Sequence, residues 1–164
     1  MGMRYRLTAL DTEHIPQVAA LERVCFSHPW SEGQLRAEME GGGALFLVAQ
    51  GEDGTVLGYA GARAVLDEGY VNNVAVAPAF RRQGVADALV AGLIGLGRGR
   101  LAFLTLEVRA SNLPALRLYE KHGFRAAGRR KDYYDDPKED AILMTLELDY
   151  ESKAAQREGT DQPV

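Results

Sequence analysis

Between Val74 and Ala86 the chain reads Val-Ala-Val-Ala-Pro-Ala-Phe-Arg-Arg-Gln-Gly-Val-Ala, an apolar strand, a short basic turn and the start of a helix. The turn has the form Arg81-x-x-Gly84-x-Ala86, with Arg82, Gln83 and Val85 between. Glycine lets a backbone come close to a ligand and adopt dihedrals closed to other residues. The helix that follows presents unpaired N–H groups and the positive end of its dipole. Together these form a cradle for phosphate or diphosphate, held mainly by backbone. A nucleotide-like cofactor is expected. Dinucleotide redox chemistry is not, because the turn lacks Gly-x-Gly-x-x-Gly and the acidic ribose contact that follows it.

Other chemistries find few residues to work with. The single cysteine, Cys25, excludes an internal disulfide and paired-cysteine metal clusters. It falls in a helical apolar pattern with Val18, Leu21 and Val24, so it is expected as a small buried hydrophobe. His14, His28 and His122 lack metal-ligand spacing, and no metal is expected. A net charge of −4 disfavours non-specific nucleic-acid binding. The longest apolar run, Val85 to Gly97, is broken by Asp87 and too short to span a bilayer. With no secretory signal in view, a cytoplasmic protein is expected, a monomer or weak dimer without nucleic-acid or membrane partners.

The elements that must position the turn are legible in outline. Arg4 to Leu10 reads as a strand, and Thr12 to Phe26 as a helix capped by Asp11. Ser31 to Glu40 is a second helix opened by the capping-box pattern Ser31-x-x-Gln34. Ala44 to Gln50, Val56 to Leu66 and Tyr70 to Val76 are strands joined by tight turns, an antiparallel meander. The helix after Gly84 carries Val85, Leu89, Leu93 and Leu96 on one face. A strand over Leu101 to Val108 leads to a helix opened by Ser111 or Asn112, with Pro114 in its first turn and Gly123 at its end. Phe124 to about Gly128 and Ala141 to Leu148 are the last strands, with Arg129 to Glu139 a polar connection. The order β-α-α-β-β-β-α-β-α-β-β is a mixed α/β fold around one sheet. Residues 1–150 form one domain, and 151–164 read as a disordered polar tail.

Three blocks in order carry a resemblance. They are Arg81-Arg82-Gln83-Gly84-Val85-Ala86, Leu106-Glu107-Val108-Arg109-Ala110-Ser111-Asn112 and Leu118-Tyr119-Glu120-Lys121-His122-Gly123-Phe124. Together they resemble the GNAT acetyltransferase superfamily, whose first block is its acetyl-CoA diphosphate loop. Cys25-Phe26-Ser27-His28-Pro29-Trp30-Ser31, Asp132-Tyr133-Tyr134 and Glu139-Asp140-Ala141 resemble one branch of it, which acetylates the N-terminal alanine of a small-subunit ribosomal protein. The resemblance implies the GNAT (acyl-CoA N-acyltransferase) fold, a mostly antiparallel sheet flanked by helices, and acetyl-CoA as acetyl donor. It implies a protein N-terminus as partner, with acetyl passing directly to the amine in a ternary complex. No cysteine in the three blocks could carry the acetyl group.

An α-amine with a pKa near ~7.7–8.0 must lose a proton before it attacks a thioester, and the departing thiolate, near ~8.5, is helped by a proton donor. The resemblance assigns Glu107 as the base, with apolar Leu104, Leu106 and Val108 expected to desolvate it. The alternative is a surface glutamate paired with Arg109. Glu68 is a rival base, but its turn Asp67-Glu68-Gly69 reads as solvent-exposed. Tyr119 is the candidate acid. Asn112, seven residues earlier and so on the same helix face, is either a cap or a contact to the cofactor arm. Val74, Ala75 and Val76 would pair through backbone with the pantetheine amides, and the Val76 N–H would serve the oxyanion. Ala86 stands where the loop commonly has a second glycine. Asp87 would repel a diphosphate and is expected to point outward.

Trp30, Tyr133 and Tyr134 are candidates for the acceptor groove, each in a turn-rich context. Asp135, Asp136, Glu139 and Asp140 read singly as a solvated acidic loop, and Arg129-Arg130-Lys131 as a solvated strand end. Acetylation of a lysine side chain or small-molecule amine is the alternative within this chemistry. A non-catalytic acyl-CoA-binding module is the alternative outside it.

Overall fold

A computed structural model of the protein describes residues 4–148. The polar segment 151–164 lies outside the described residues.

The strands are β1 (Tyr5–Ala9), β2 (Ala44–Gly51), β3 (Val56–Val65), β4 (Glu68–Val76), β5 (Phe103–Arg109), β6 (Arg125–Asp135) and β7 (Lys138–Glu147). The helices are α1 (Ile15–Cys25), α2 (Glu32–Glu40), α3 (Val85–Gly97) and α4 (Leu113–Lys121). Their order along the chain is the one the sequence predicts. Asp11 caps a short 3-10 turn before α1, and Ser31 with Gln34 forms a capping box at α2.

The strands make one sheet in the order β1-β2-β3-β4-β5-β7-β6. Every neighbouring pair is antiparallel except β4 and β5. One core, with Ile15, Val18, Leu35, Val48 and Tyr59, packs α1 and α2 on one face. The other, with Leu47, Leu89, Leu93, Leu104, Leu106 and Met144, packs α3 on the opposite face.

Two departures bear on the site. Leu96 is exposed at 36 %, because the buried stripe of α3 drifts toward Val90, Ile94 and Gly97 in its last turns. The connection expected over Arg129 to Glu139 is mostly strand: β6 runs on to Asp135, and only Asp136 and Pro137 separate it from β7. β6 is an edge strand with almost every residue exposed, so it has no apolar alternation to read. Register shifts after Ala126 and Arg130 interrupt its pairing with β7, and Asp132 there takes φ 52°.

Candidate active site

The site begins where the sheet comes apart. β4 pairs with β5 only from Glu68 to Tyr70, opposite Phe103 to Thr105. Beyond Tyr70 the two strands diverge, and the β5-facing edge of β4 is left without a strand. Ala77 donates its N–H to Leu57 O, 2.8 Å. Ala75, two residues back and opposite Tyr59, therefore directs its peptide groups to β3. Val74 and Val76, in the alternate positions, direct theirs to the open edge. Of the three residues expected to act through backbone, Val74 has both groups and Val76 its N–H to do so, the Val76 carbonyl accepting from Arg81, while Ala75 contributes a buried methyl.

A cleft of about 710 Å³ runs along this edge between β4, the loop before α3 and one face of α4. Arg82, Gly84, Val85 and Ala86 line it. Gly84 has φ 79° and ψ 9°, and a Cβ built there would meet nothing within 4 Å. Its glycine is thus required by the left-handed backbone and by the space in front of the loop, not by packing behind it. No side chain caps α3, so its first N–H groups face the cleft unclaimed by a cap. Gln83, expected to bind cofactor, is not among the cleft residues. Arg81 lines the cleft but folds back on the strand, donating from Nε to Val76 O at 3.1 Å.

From the other wall, Asn112 and Tyr119 face the same cleft, as their seven-residue spacing predicts. Asn112 caps α4, its Oδ1 accepting from the Ala115 N–H at 3.2 Å, which leaves its amide NH₂ for a ligand. Tyr119 is buried and packs edge-on against Phe124 with ring centroids 5.5 Å apart. Burial, reinforced by Tyr134, pushes its hydroxyl up to about 12.

Glu107 stands beyond the cleft, with the β6–β7 hairpin. Leu104, Leu106 and Val108 are buried on the α3 face, so the pleat turns Glu107 the other way and they do not desolvate it. Its partner is Arg130, Nε to Oε1 2.9 Å, and not Arg109. Arg109 donates instead to Asp136 O and Pro137 O, at 3.0 and 2.8 Å, and lies 4.2 Å over the Tyr134 ring. The Tyr133 hydroxyl donates to Glu107, and that bond, with burial, pushes it up to about 12. Tyr134 packs edge-on against Tyr133, centroids 5.0 Å apart, and lies close enough to feel Glu107 and to influence Tyr119. Carboxylate and phenols thus share one neighbourhood, with Glu107 and Tyr133 in contact and Tyr134 near enough to Tyr119 for its charge to be felt.

Several expectations need correction. Trp30, expected as an exposed loop aromatic, is half-buried against Phe46, centroids 6.4 Å apart. Cys25 is not enclosed; it lines the cleft, with Sγ 3.7 Å from Val76 O and Arg81 Nη2 3.6 Å away. Glu68 begins β4, half-buried, and accepts from the Tyr70 hydroxyl at 2.6 Å. Eight residues of strand put it about 26 Å from Val76, too far to act there. Glu139 accepts from the Ser111 N–H and hydroxyl, and Asp140 pairs with Arg129. Glu139 thus straps the hairpin to the β5–α4 turn, and Asp140 braces β6 against β7, instead of standing free in a loop. Arg117, Lys121, Phe26 and Phe80 also line the cleft and were not singled out from sequence. The α4 pair was readable in principle, since Pro114, Arg117, Leu118 and Lys121 recur at i, i+3, i+4 and i+7 and so share one face.

Residues 15–124 match the model of the acetyltransferase (GNAT) family. The chain belongs to that family. It is 38 % identical over 146 residues to the ribosomal protein bS18-alanine N-acetyltransferase of Escherichia coli K12, across 87 % of this chain and 97 % of the relative. The corresponding enzyme of Haemophilus ducreyi is 37 % identical over 133 residues, 78 % and 90 % of the two chains. The crystal structure of the ribosomal-protein-S18-alanine N-acetyltransferase from Escherichia coli superposes with a TM-score of 0.81 at 36 % identity, covering 88 % of this chain and 94 % of that one. Arabidopsis thaliana NAA60, solved in complex with acetyl-CoA, shares the fold at a TM-score of 0.80 and 18 % identity, over 88 % and 99 % of the chains.

As a GNAT member the chain is an acetyl-CoA-dependent N-acetyltransferase. The residues present fit that donor. The open edge of β4 offers peptide groups to an amide-bearing arm, and the space before Gly84 and the start of α3 suit a diphosphate. Asp87 lines the cleft and does not point outward as expected, yet it does not spoil the fit. It sits between Lys121 Nζ at 2.9 Å and His122 Nε2 at 3.0 Å, so its charge is met by α4. The hydrogen bond from Lys121 is the main cause that holds the Asp87 carboxyl below its ordinary range. A depressed pKa adds stability above the unfolded value, near ~3.9, and loses it as pH falls through the folded value. Asp87→Asn should therefore lower the Tm at pH 7, and the gap to the parent should close as thermal melts are moved below pH 4.

Proposed function

We propose that this enzyme acetylates the α-amine of a protein N-terminus, an alanine of a small-subunit ribosomal protein, in the cytoplasm. The observation that carries the reading is the group of Glu107, Tyr133 and Tyr134, which stands beyond the cleft lined by Tyr119 and within electrostatic reach of that phenol. The identity to enzymes named for bS18 alanine, spread over nearly their whole length, supports the acceptor.

Acetyl-CoA supplies an activated thioester whose carbonyl carbon accepts the amine nitrogen while the carbon–sulfur bond breaks. Glu107 takes a proton from the incoming ammonium, exchanging its ion pair with Arg130 for that proton. The Val76 N–H, on the open edge, donates to the developing oxyanion. Tyr119 donates toward the sulfur. With its pKa near 12, complete transfer to a thiolate near ~8.5 would be uphill by roughly 5 kcal/mol, so a hydrogen bond to the departing sulfur is the favourable role. Tyr119→Phe should lower kcat by about tenfold, the worth of one such bond to a charged atom, with the Tm nearly unchanged. Single-turnover kinetics with thermal melts check both.

The reading itself is tested by mass spectrometry after incubation with acetyl-CoA and an alanine-starting peptide matching the host's own ribosomal protein. Acetyl on the α-amine is expected, with none on the peptide whose N-terminus is blocked. Acetyl on an internal lysine instead would overturn it.

A further inference from the structure

One buried ionisable group has no part in this mechanism. Glu22, on α1, is 1 % exposed, and its carboxylate gathers donors from three parts of the chain. The Tyr59 hydroxyl from β3 and the Asn73 amide from β4, the latter at 2.6 Å, donate to Oε1. The Trp30 backbone N–H donates to Oε2 at 3.3 Å. Asn73 also donates to the Tyr59 hydroxyl at 3.1 Å. Burial and the adjacent carboxylate push the Tyr59 hydroxyl far above its ordinary value, so it remains a donor. A set made only of donors suits a carboxylate, which only accepts.

Glu22 holds the connector between α1 and α2 at both ends. Its backbone carbonyl accepts the Phe26 N–H at 2.9 Å, closing α1. Its side chain accepts the Trp30 N–H, closing the far end. Between these points lie Ser27, His28 and Pro29, all exposed. Phe26 and Cys25, at the near end, line the cleft beside Val76. A carboxylate is costly to bury, and apolar side chains fill such a space at lower cost, so its three-way bonding is best understood as fixing geometry.

We infer that Glu22 is a positioning residue for the acceptor. It holds the 26–31 connector so that Phe26 walls the space beside Val76 where the first residue of the acceptor sits. This rests on the N-terminal acetylation reading above.

Glu22→Gln tests it. The variant keeps the shape but turns one carboxylate oxygen into an NH₂ that faces a donor. The KM for the alanine-starting peptide should rise about tenfold, as for one lost hydrogen bond to a charged group. The KM for acetyl-CoA should rise far less than that for the peptide, since Phe26 and Cys25 form only one edge of the cleft, and kcat should stay close to the parent value. The fluorescence of Trp30, the only tryptophan in the chain, should shift to the red as its indole loosens from Phe46. Should Glu22→Gln fail to fold, Phe46→Leu undocks the same indole from the other side and should give the same KM rise and red shift. A lower Tm with unchanged peptide KM and unchanged Trp30 emission would overturn the inference. So would equal losses in both KM values. If the parent enzyme acetylates a lysine and ignores the α-amine, the function reading fails instead. The positioning role is then judged on the KM for that lysine peptide.

Discussion

Glu107→Gln is expected to lower kcat for α-amine acetylation by about 10²–10⁴-fold, the range that a positioned general base contributes. The amide keeps the size of the side chain and can still accept from Tyr133. It cannot take a proton from the acceptor. Glu107 lies outside the cleft lining, so acetyl-CoA affinity should be unchanged, as measured by calorimetric titration. The ion pair with Arg130 is half-exposed at best, with side chains 57 % and 25 % exposed, and contributes little to folding. The Tm should therefore fall only slightly. The pattern of lost turnover, retained donor binding and retained fold separates a catalytic carboxylate from a surface ion pair. It also separates an enzyme from a module that merely binds acyl-CoA, in which the substitution would change nothing.

Gly84→Val is expected to raise the KM for acetyl-CoA by about 10–100-fold. Two effects add. A β-branched residue at φ 79° is strained by about 1–2 kcal/mol. The strain can be relieved only by swinging the loop and misdirecting the first N–H groups of α3. The added side chain also points into open space, with nothing of the protein within 4 Å, which is where the diphosphate would lie. Gly95→Ala on the same helix is the control. Its Cβ also meets nothing within 4 Å, but its backbone is ordinary helix. It should gain about 0.5–1 kcal/mol of stability and leave the acetyl-CoA KM alone. Parallel initial-rate and thermal measurements on both variants distinguish a ligand cradle from general helix sensitivity.

Much of this was readable from residue order alone, for local reasons. The capping box at Ser31 and Gln34, the cap at Asp11 and the breaks at Gly84 and Gly123 are all set within a few residues, and each element began close to where those signals put it. The seven-residue spacing of Asn112 and Tyr119 on one helix likewise sufficed to bring them to one wall of the cleft. What stayed hidden depends on partners far apart in the chain. Nothing near Glu107 announces Arg130, which reaches it only because β7 lies between β5 and β6 and the edge strand is kinked at its register shift. Glu139 and Asp140 looked like free loop acids because the length of β6 was concealed by its exposure. Cys25 shows a further limit. A helical apolar stripe marks the face turned inward, but it does not distinguish a core from a cleft.

The central claim is that the backbone at Gly84 and the start of α3 hold a diphosphate and thereby bring the thioester to Tyr119 and Glu107. A crystal structure of the protein with coenzyme A and an alanine-starting peptide tests it most directly. Diphosphate oxygens are expected within hydrogen-bond distance of the loop amides, with pantetheine along the free edge of β4, the sulfur beside the Tyr119 hydroxyl and the peptide amine facing Glu107. A nucleotide bound elsewhere, or an amine turned away from Glu107, would contradict it.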